Sequence, residues 1–239
     1  ELRDKLAGQD RLELLRRGRA EAESDTRVIE TVFDLAAPQL TAGLKEALEV
    51  LAVCSPGPVP LDFLRRMDIT ESKTIAEPLE RLYTYSWCDR REIEGERYYE
   101  LHQLVRELVR ERGPLRFLDA FIGVVHGIFT DETVHFSVKD RCVFQLEEAF
   151  AAAVQRKDPR LKDWLYDIYD FCTYRGFAHF YLRLTEAVEE LFPGDQWEMK
   201  VVYSHRALIL RRWGKLEEAM ASHKKEEKIK EELGDRAGL

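Results

Sequence analysis

Cysteine occurs here in no pattern that chemistry can use. The four cysteines, Cys54, Cys88, Cys142 and Cys172, lie far apart with no CxxC pair. That spacing excludes a zinc ribbon and argues against a disulfide framework; reduced, buried thiols in a cytoplasmic protein fit it better. Long apolar runs are also missing. None reaches the roughly 18 residues that a membrane span needs, and the opening Glu1-Leu2-Arg3-Asp4-Lys5 is too charged for a signal peptide. Positive charge is in deficit, with a formal net charge of −8, whereas nucleic-acid binders present a basic patch or stripe. His126, His135, His179, His205 and His223 show no HExxH or comparable ligand spacing. There is no GxSxG, and no cysteine stands beside a clear base. Catalysis, metal binding and a cofactor are therefore not expected within this chain. The sequence also starts without methionine and stops at Leu239, in what reads as the start of a new helix; the expectation is a fragment of a longer protein.

What is present is helical periodicity with one β-like interruption. The chain turns on Tyr98-Tyr99-Glu100-Leu101-His102-Gln103-Leu104-Val105-Arg106-Glu107-Leu108-Val109-Arg110. Tyr98 to Leu101 favours a strand. From Leu101 the apolar residues fall at 101, 104, 105, 108 and 109, one stripe of a helix. His102 sits at the switch.

Before that stretch, residues 1–37 read as a helical linker left over from a preceding domain, with Val28, Ile29, Val32 and Phe33 at helical spacing. Thr41 opens a helix bearing Leu44, Leu48 and Leu51, which stops before the turn Ser55-Pro56-Gly57-Pro58. A short helix follows from about Pro60, with Leu61, Phe63, Leu64 and Met67. The next begins near Thr74, where Thr74 and Glu77 match a capping box and Pro78 falls in the first turn. Trp87 to Ile93 and Arg97 to Leu101 are β-like, joined by Glu94-Gly95-Glu96 as a hairpin turn. Three helices followed by a hairpin predict a winged-helix domain over residues 38–113.

Gly113-Pro114 marks a boundary, and beyond it the pattern is helical. Helices are expected over 115–129, over 140–155 with Val143, Leu146, Phe150, Ala153 and Val154 inward, over 161–174, and over 177–192. Residues 114–198 thus read as degenerate helical pairs. The last pair, Val201 to Trp213 and Lys215 to Leu233 with a turn at Gly214, lies within 199–239. Lys200 to Leu233 has the length of about 34 residues that marks a tetratricopeptide (TPR) repeat, and Ala207 and Ala219 stand where two helices can cross closely. The fold class expected is mostly α: a winged helix, then a TPR-like superhelical array.

Taken together, these strings resemble the C-terminal part of STAND-class (NB-ARC-type) signalling ATPases of bacterial kind. Thr31-Val32-Phe33-Asp34-Leu35, Gln39-Leu40 and Ala47-Leu48-Glu49-Val50-Leu51-Ala52-Val53 are similar to that family's entry into its winged helix. Leu101-His102-Gln103-Leu104-Val105-Arg106 is similar to its "MHD" motif, with Leu101 for methionine and Gln103 for the acidic residue. Leu146-Glu147-Glu148-Ala149-Phe150-Ala151 and Glu232-Leu233-Gly234-Asp235-Arg236 look like its TPR sensor arms. The resemblance covers about residues 28–239. It implies that His102 senses the nucleotide, ADP or ATP, in the parent protein. It also implies that an upstream nucleotide-binding domain is the intramolecular partner and that activation brings oligomerisation. The family's phosphate loop, a glycine-rich string ending in Lys-Ser/Thr, does not occur here. This chain alone is then expected not to hydrolyse ATP, and to be the regulatory and sensing part.

Helical arrays bind protein or peptide ligands on a face lined by the first helix of each pair. In the last pair, repeat alignment puts Val201, Ser204, Leu208, Arg211 and Arg212 on that face, and the two arginines suit ligand carboxylates. DNA is the other natural partner of a winged helix. However, the helix from Thr74 to Ser86 offers only Arg81, and in the hairpin Arg90, Arg91 and Arg97 are offset by Asp89, Glu92, Glu94 and Glu96. The electrostatic term that dominates DNA affinity is then missing. Two readings stand beside the sensing one: a plain TPR scaffold, and a winged-helix transcription regulator.

Overall fold

The computed structural model describes residues 40–67, 74–113 and 115–235. The linker expected over 1–37 and the Thr31–Gln39 strings lie outside the described residues. The described chain is mostly helical with one small antiparallel sheet, and it divides into two compact units between Phe117 and Leu118.

In the first unit, α1 (Ala42–Val53) buries Leu44, Ala47, Leu48 and Leu51, the i, i+3, i+4, i+7 set of one helical face. It stops before Ser55-Pro56-Gly57-Pro58, where the Gly57 N–H bonds to the Ser55 carbonyl at 2.9 Å. A short strand, β1 (Val59–Pro60), leads into α2 (Leu61–Arg66). Helix α3 (Ala76–Thr84) buries Pro78, Leu79 and Leu82. The capping box is replaced by a tighter turn: the Thr74 hydroxyl accepts from the Ala76 N–H at 3.3 Å, and helical geometry begins two residues after Thr74.

Strands β2 (Cys88–Ile93) and β3 (Glu96–Leu101) pair from Cys88↔Leu101 to Ile93↔Glu96. Their loop is only Glu94-Gly95, with φ +53° and +80°. Two positive φ values match the right-handed twist of a tight hairpin, and glycine supplies one without steric cost. Periodicity missed β1, because two residues show no alternation. It pairs through Val59↔Tyr99 and Pro60↔Tyr98, giving the order β1-β3-β2. Pro60 is tolerated because β1 is an edge.

Strand β3 passes through His102 into α4 (Gln103–Glu111), which packs on α1. The Arg110 Nε donates to the Ala52 carbonyl at 2.6 Å, placing a cation at the C-terminal end of α1. Arg116 holds Glu49 with two bonds, 2.7 and 3.0 Å.

The second unit stacks helices in pairs: α5 (Leu118–Thr130), α6 (Phe136–Arg141), α7 (Val143–Arg156), α8 (Arg160–Asp167), α9 (Tyr169–Tyr174), α10 (Ala178–Leu191), α11 (Gln196–Arg212) and α12 (Leu216–Leu233). Helix α5 packs on α7, α8 on α10, and α11 along α12, while α7–α10, α8–α11 and α10–α11 contacts join successive pairs. The core runs through Phe121, Leu146, Trp164, Leu165, Tyr181, Val202 and Ala207. Ala207 and Ala219 are both buried, Ala207 on α11 and Ala219 on α12.

Four expected boundaries differ, the first being that of α5, which starts at Leu118 rather than at 115. The helix expected over 140–155 is two: α6 ends at Arg141 and α7 starts at Val143, and Val143 and Val154 are only half-buried. The helix expected over 161–174 breaks at Ile168. The helix expected from Val201 starts at Gln196, because the Asp195 carboxylate accepts from the Glu198 N–H and opens it earlier. Gly214, with φ +74°, makes the turn from α11 to α12.

Candidate functional site

The sequence marks two places, one in each unit. His102 directly follows β3 and stands in the N-cap position of α4. Its N–H reaches the Trp87 carbonyl at 3.4 Å, and its own carbonyl accepts from the Arg106 N–H at 2.9 Å. Its imidazole caps nothing and is exposed. Gln103, the residue that departs from the acidic motif position, donates instead to Glu107 within α4 at 2.6 Å.

On the hairpin the arginines are occupied. Glu80 of α3 accepts from Arg90 at 2.7 Å, from Arg97 at 3.1 Å and from the buried Tyr99 hydroxyl at 2.6 Å. The Tyr99 hydrogen bond, aided by both arginines, holds the Glu80 carboxyl below its ordinary value despite burial. Arg91 pairs with Glu100 at 2.9 Å. These cations face carboxylates of their own unit.

The five residues Val201, Ser204, Leu208, Arg211 and Arg212 do fall on one face of α11, opposite Met199, Val202, Tyr203 and Leu210, which are buried. Val201, Ser204 and Leu208 are half-buried, and both arginines are exposed. Trp197, 55% exposed, extends the apolar stripe by one turn, and Lys200 Nζ lies 3.7 Å from its ring centroid. Four arginines of this unit are tied to carboxylates: Arg160 to Asp119 and Asp158, Arg175 to Asp140, Arg183 to Glu147 and Arg206 to Glu189. Among the described residues Arg211 and Arg212 have no such partner.

Beside this face lies a polar cluster that sequence reasoning missed. The Tyr181 hydroxyl of α10 is 2.5 Å from the Leu165 carbonyl and 2.5 Å from His205 Nδ1. A hydroxyl has one proton, and the carbonyl can only accept. The Tyr181 proton therefore goes to Leu165, and His205 Nδ1–H donates to the Tyr181 oxygen, leaving Nε2 with the lone pair. Tyr169 stacks on the His205 ring at 4.2 Å. Burial lowers the His205 pKa, against the pull of Glu226 and Asp170, so its neutral form is favoured. His205 is four residues after Val201, on the flank of the same face; that spacing was the available signal.

Arg206 anchors the opposite side. It donates to Glu189 at 2.6 Å and Thr185 at 3.3 Å, while Tyr203 and Lys225 reach Glu189 at 2.7 and 3.4 Å. Burial alone would raise the Glu189 carboxyl. The hydrogen bonds from Tyr203 and Arg206 and the charges of Arg206 and Lys225 outweigh it and bring it to about 2. The network fixes α11 between α10 and α12, so the open face is held on a rigid element.

Among the described residues no group of three His, Cys, Asp or Glu side chains gathers as a metal site would need, and no helix is long and apolar enough to cross a membrane. No family model, curated protein or solved structure matches this chain.

Proposed function

We propose that this chain is the regulatory and partner-sensing region of a STAND-type signal-transduction ATPase, acting in the cytoplasm through protein–protein contacts. In this reading the first unit is a winged helix that packs against an upstream nucleotide-binding domain. The second is a TPR-like array that takes a protein or peptide ligand. Support for the winged helix comes from the order α1-β1-α2-α3-β2-β3, with β1 returning to pair with β3. Support for the array comes from successive helix pairs that each stack on the next.

The observation that carries the ligand role is the open face of α11, where half-buried Val201, Ser204 and Leu208 run up to exposed Arg211 and Arg212. An apolar strip ending in two unpaired guanidiniums suits a segment with apolar side chains and a carboxylate, the carboxylate held by charge-assisted bonds. The mechanism is a population shift: ligand frees the ATPase only by as much as it prefers the open form over the closed one. The exposed imidazole of His102 is free to face a nucleotide phosphate in the parent protein.

The test has two parts. The array is screened against arrayed acidic peptides, and Arg211→Glu with Arg212→Glu abolishes capture; retention of capture by the double variant refutes the face. In the full-length protein, His102→Ala raises basal activity; unchanged basal activity refutes that role. The engaged hairpin arginines weigh against the DNA-reading alternative, which a duplex-retention assay decides. A plain TPR scaffold is favoured if no phosphate loop precedes this region.

A further inference from the structure

Helix α12 carries a face that nothing among the described residues of its unit covers. Leu216 and Met220 are each 60% exposed. Glu217, Lys224, Glu227 and Glu231 are exposed too. Positions 217, 220, 224, 227 and 231 alternate steps of three and four, with 216 alongside; they form one stripe of a helix.

The other charges from Lys215 to Glu232 are engaged. Lys215 pairs with Glu218, Lys225 with Glu189, Lys228 with Glu232, and Glu226 with both His223 and Lys230. Among the described residues Glu217, Lys224, Glu227 and Glu231 have no partner. The unsatisfied charges of this helix therefore share a face with its two most exposed apolar side chains, Leu216 and Met220, while Leu233, 39% exposed, lies off it.

We infer that this face is the contact for a second copy of the chain, docked with α12 antiparallel. The argument is self-complementarity. In a two-fold pair the same patch serves both partners, so residue i meets j and j meets i. With the two helices registered about Met220, the Met220 side chains meet at the axis and each Leu216 covers the aliphatic stem of the partner's lysines. Each Glu217 then lies against Lys224 of the other copy, twice per dimer. A purely apolar helix is a poor occupant, because beyond Met220 it would bury Lys224, Glu227 and Glu231 without compensation.

The area sets the strength. A few turns of one helix bury well under the roughly 800 Å² per partner of a standard interface. The dimer is therefore weak and concentration-dependent. It involves no nucleotide and leaves the open face of α11 free, so it stands or falls apart from the ligand reading.

Sedimentation velocity of the 239-residue chain over a concentration series tests it. The expected result is a monomer–dimer equilibrium that Met220→Glu abolishes. Met220 is exposed, so this variant keeps its fold, which circular dichroism checks. Glu217→Lys and Lys224→Glu each weaken the dimer about tenfold, from two lost pairs and two new repulsions. The double variant Glu217→Lys/Lys224→Glu restores it, because the swapped charges meet again across the axis. A monomer at all concentrations overturns the inference, as does a dimer that ignores Met220→Glu, or a double variant no better than the singles.

Discussion

The Tyr181 hydroxyl stands between two groups it must satisfy at once, the Leu165 carbonyl and His205 Nδ1, each at 2.5 Å. The relationship accounts for the break at Ile168. A helix continuing through that residue would bond the Leu165 carbonyl to the N–H four residues on. Instead the hydroxyl of another helix takes it, and α9 begins afresh at Tyr169. One phenol thus shapes α8–α9 and orients the histidine beside the open face of α11.

Tyr181→Phe should lower stability by about 1–3 kcal/mol. Tyr181 is fully buried, and the change strands a buried carbonyl and an imidazole N–H without removing apolar volume. Urea unfolding measures it. A loss within a few tenths of a kcal/mol would show that neither bond contributes.

His205 should titrate below its ordinary 6.5, since burial disfavours the imidazolium more than Glu226 and Asp170 favour it. The sign follows from linkage. A histidine with a depressed folded pKa contributes stability that is fully present above the unfolded value of 6.5. That contribution is lost as pH falls through the folded value. Imidazole proton shifts in NMR give the pKa. His205→Gln should flatten the stability profile just below pH 6.5.

Glu189→Gln should cost about 2 kcal/mol, below the ~3–5 kcal/mol of a fully buried pair, because it leaves Arg206 with little compensation. Replacing both, as Glu189→Leu with Arg206→Met, should cost less than the single change. With its carboxyl brought to about 2 from 4.5, Glu189 contributes stability that is complete above pH 4.5 and is lost as pH falls toward 2. Acid unfolding followed by circular dichroism should lose that limb in the Glu189→Gln variant.

Glu80→Gln releases Arg90 and Arg97 from their shared carboxylate. The variant should show salt-sensitive retention on duplex DNA above that of the parent chain. Equal retention of both proteins in low salt would show that Glu80 does not mask the hairpin arginines.

Much of the helical pattern was legible from spacing alone, for a simple reason. An amphipathic helix repeats its burial every 3.6 residues, so Leu44, Leu48 and Leu51 or Leu79 and Leu82 announce a buried face without knowledge of what covers it. The hairpin was legible because Glu94-Gly95 sits between two β-favouring runs. Strand β1 was not, since two residues carry no period and only β3 makes Val59 and Pro60 a strand. The grouping of Val201, Ser204, Leu208, Arg211 and Arg212 on one face follows from helix geometry. That Arg211 and Arg212 stay free while Arg206 is consumed by Glu189 depends on which helix lies alongside.

The sequence by itself determined where helices form, where glycine and proline stop them, and that His102 marks the change from strand to helix. These are local properties, set by backbone sterics and the periodicity of apolar residues. Only the tertiary structure decided which charges are engaged, where α8 gives way to α9, and which faces remain open. Those depend on pairs such as Tyr181 with His205, Glu80 with Arg97 and Glu189 with Arg206, far apart in sequence, whose meeting no local spacing encodes.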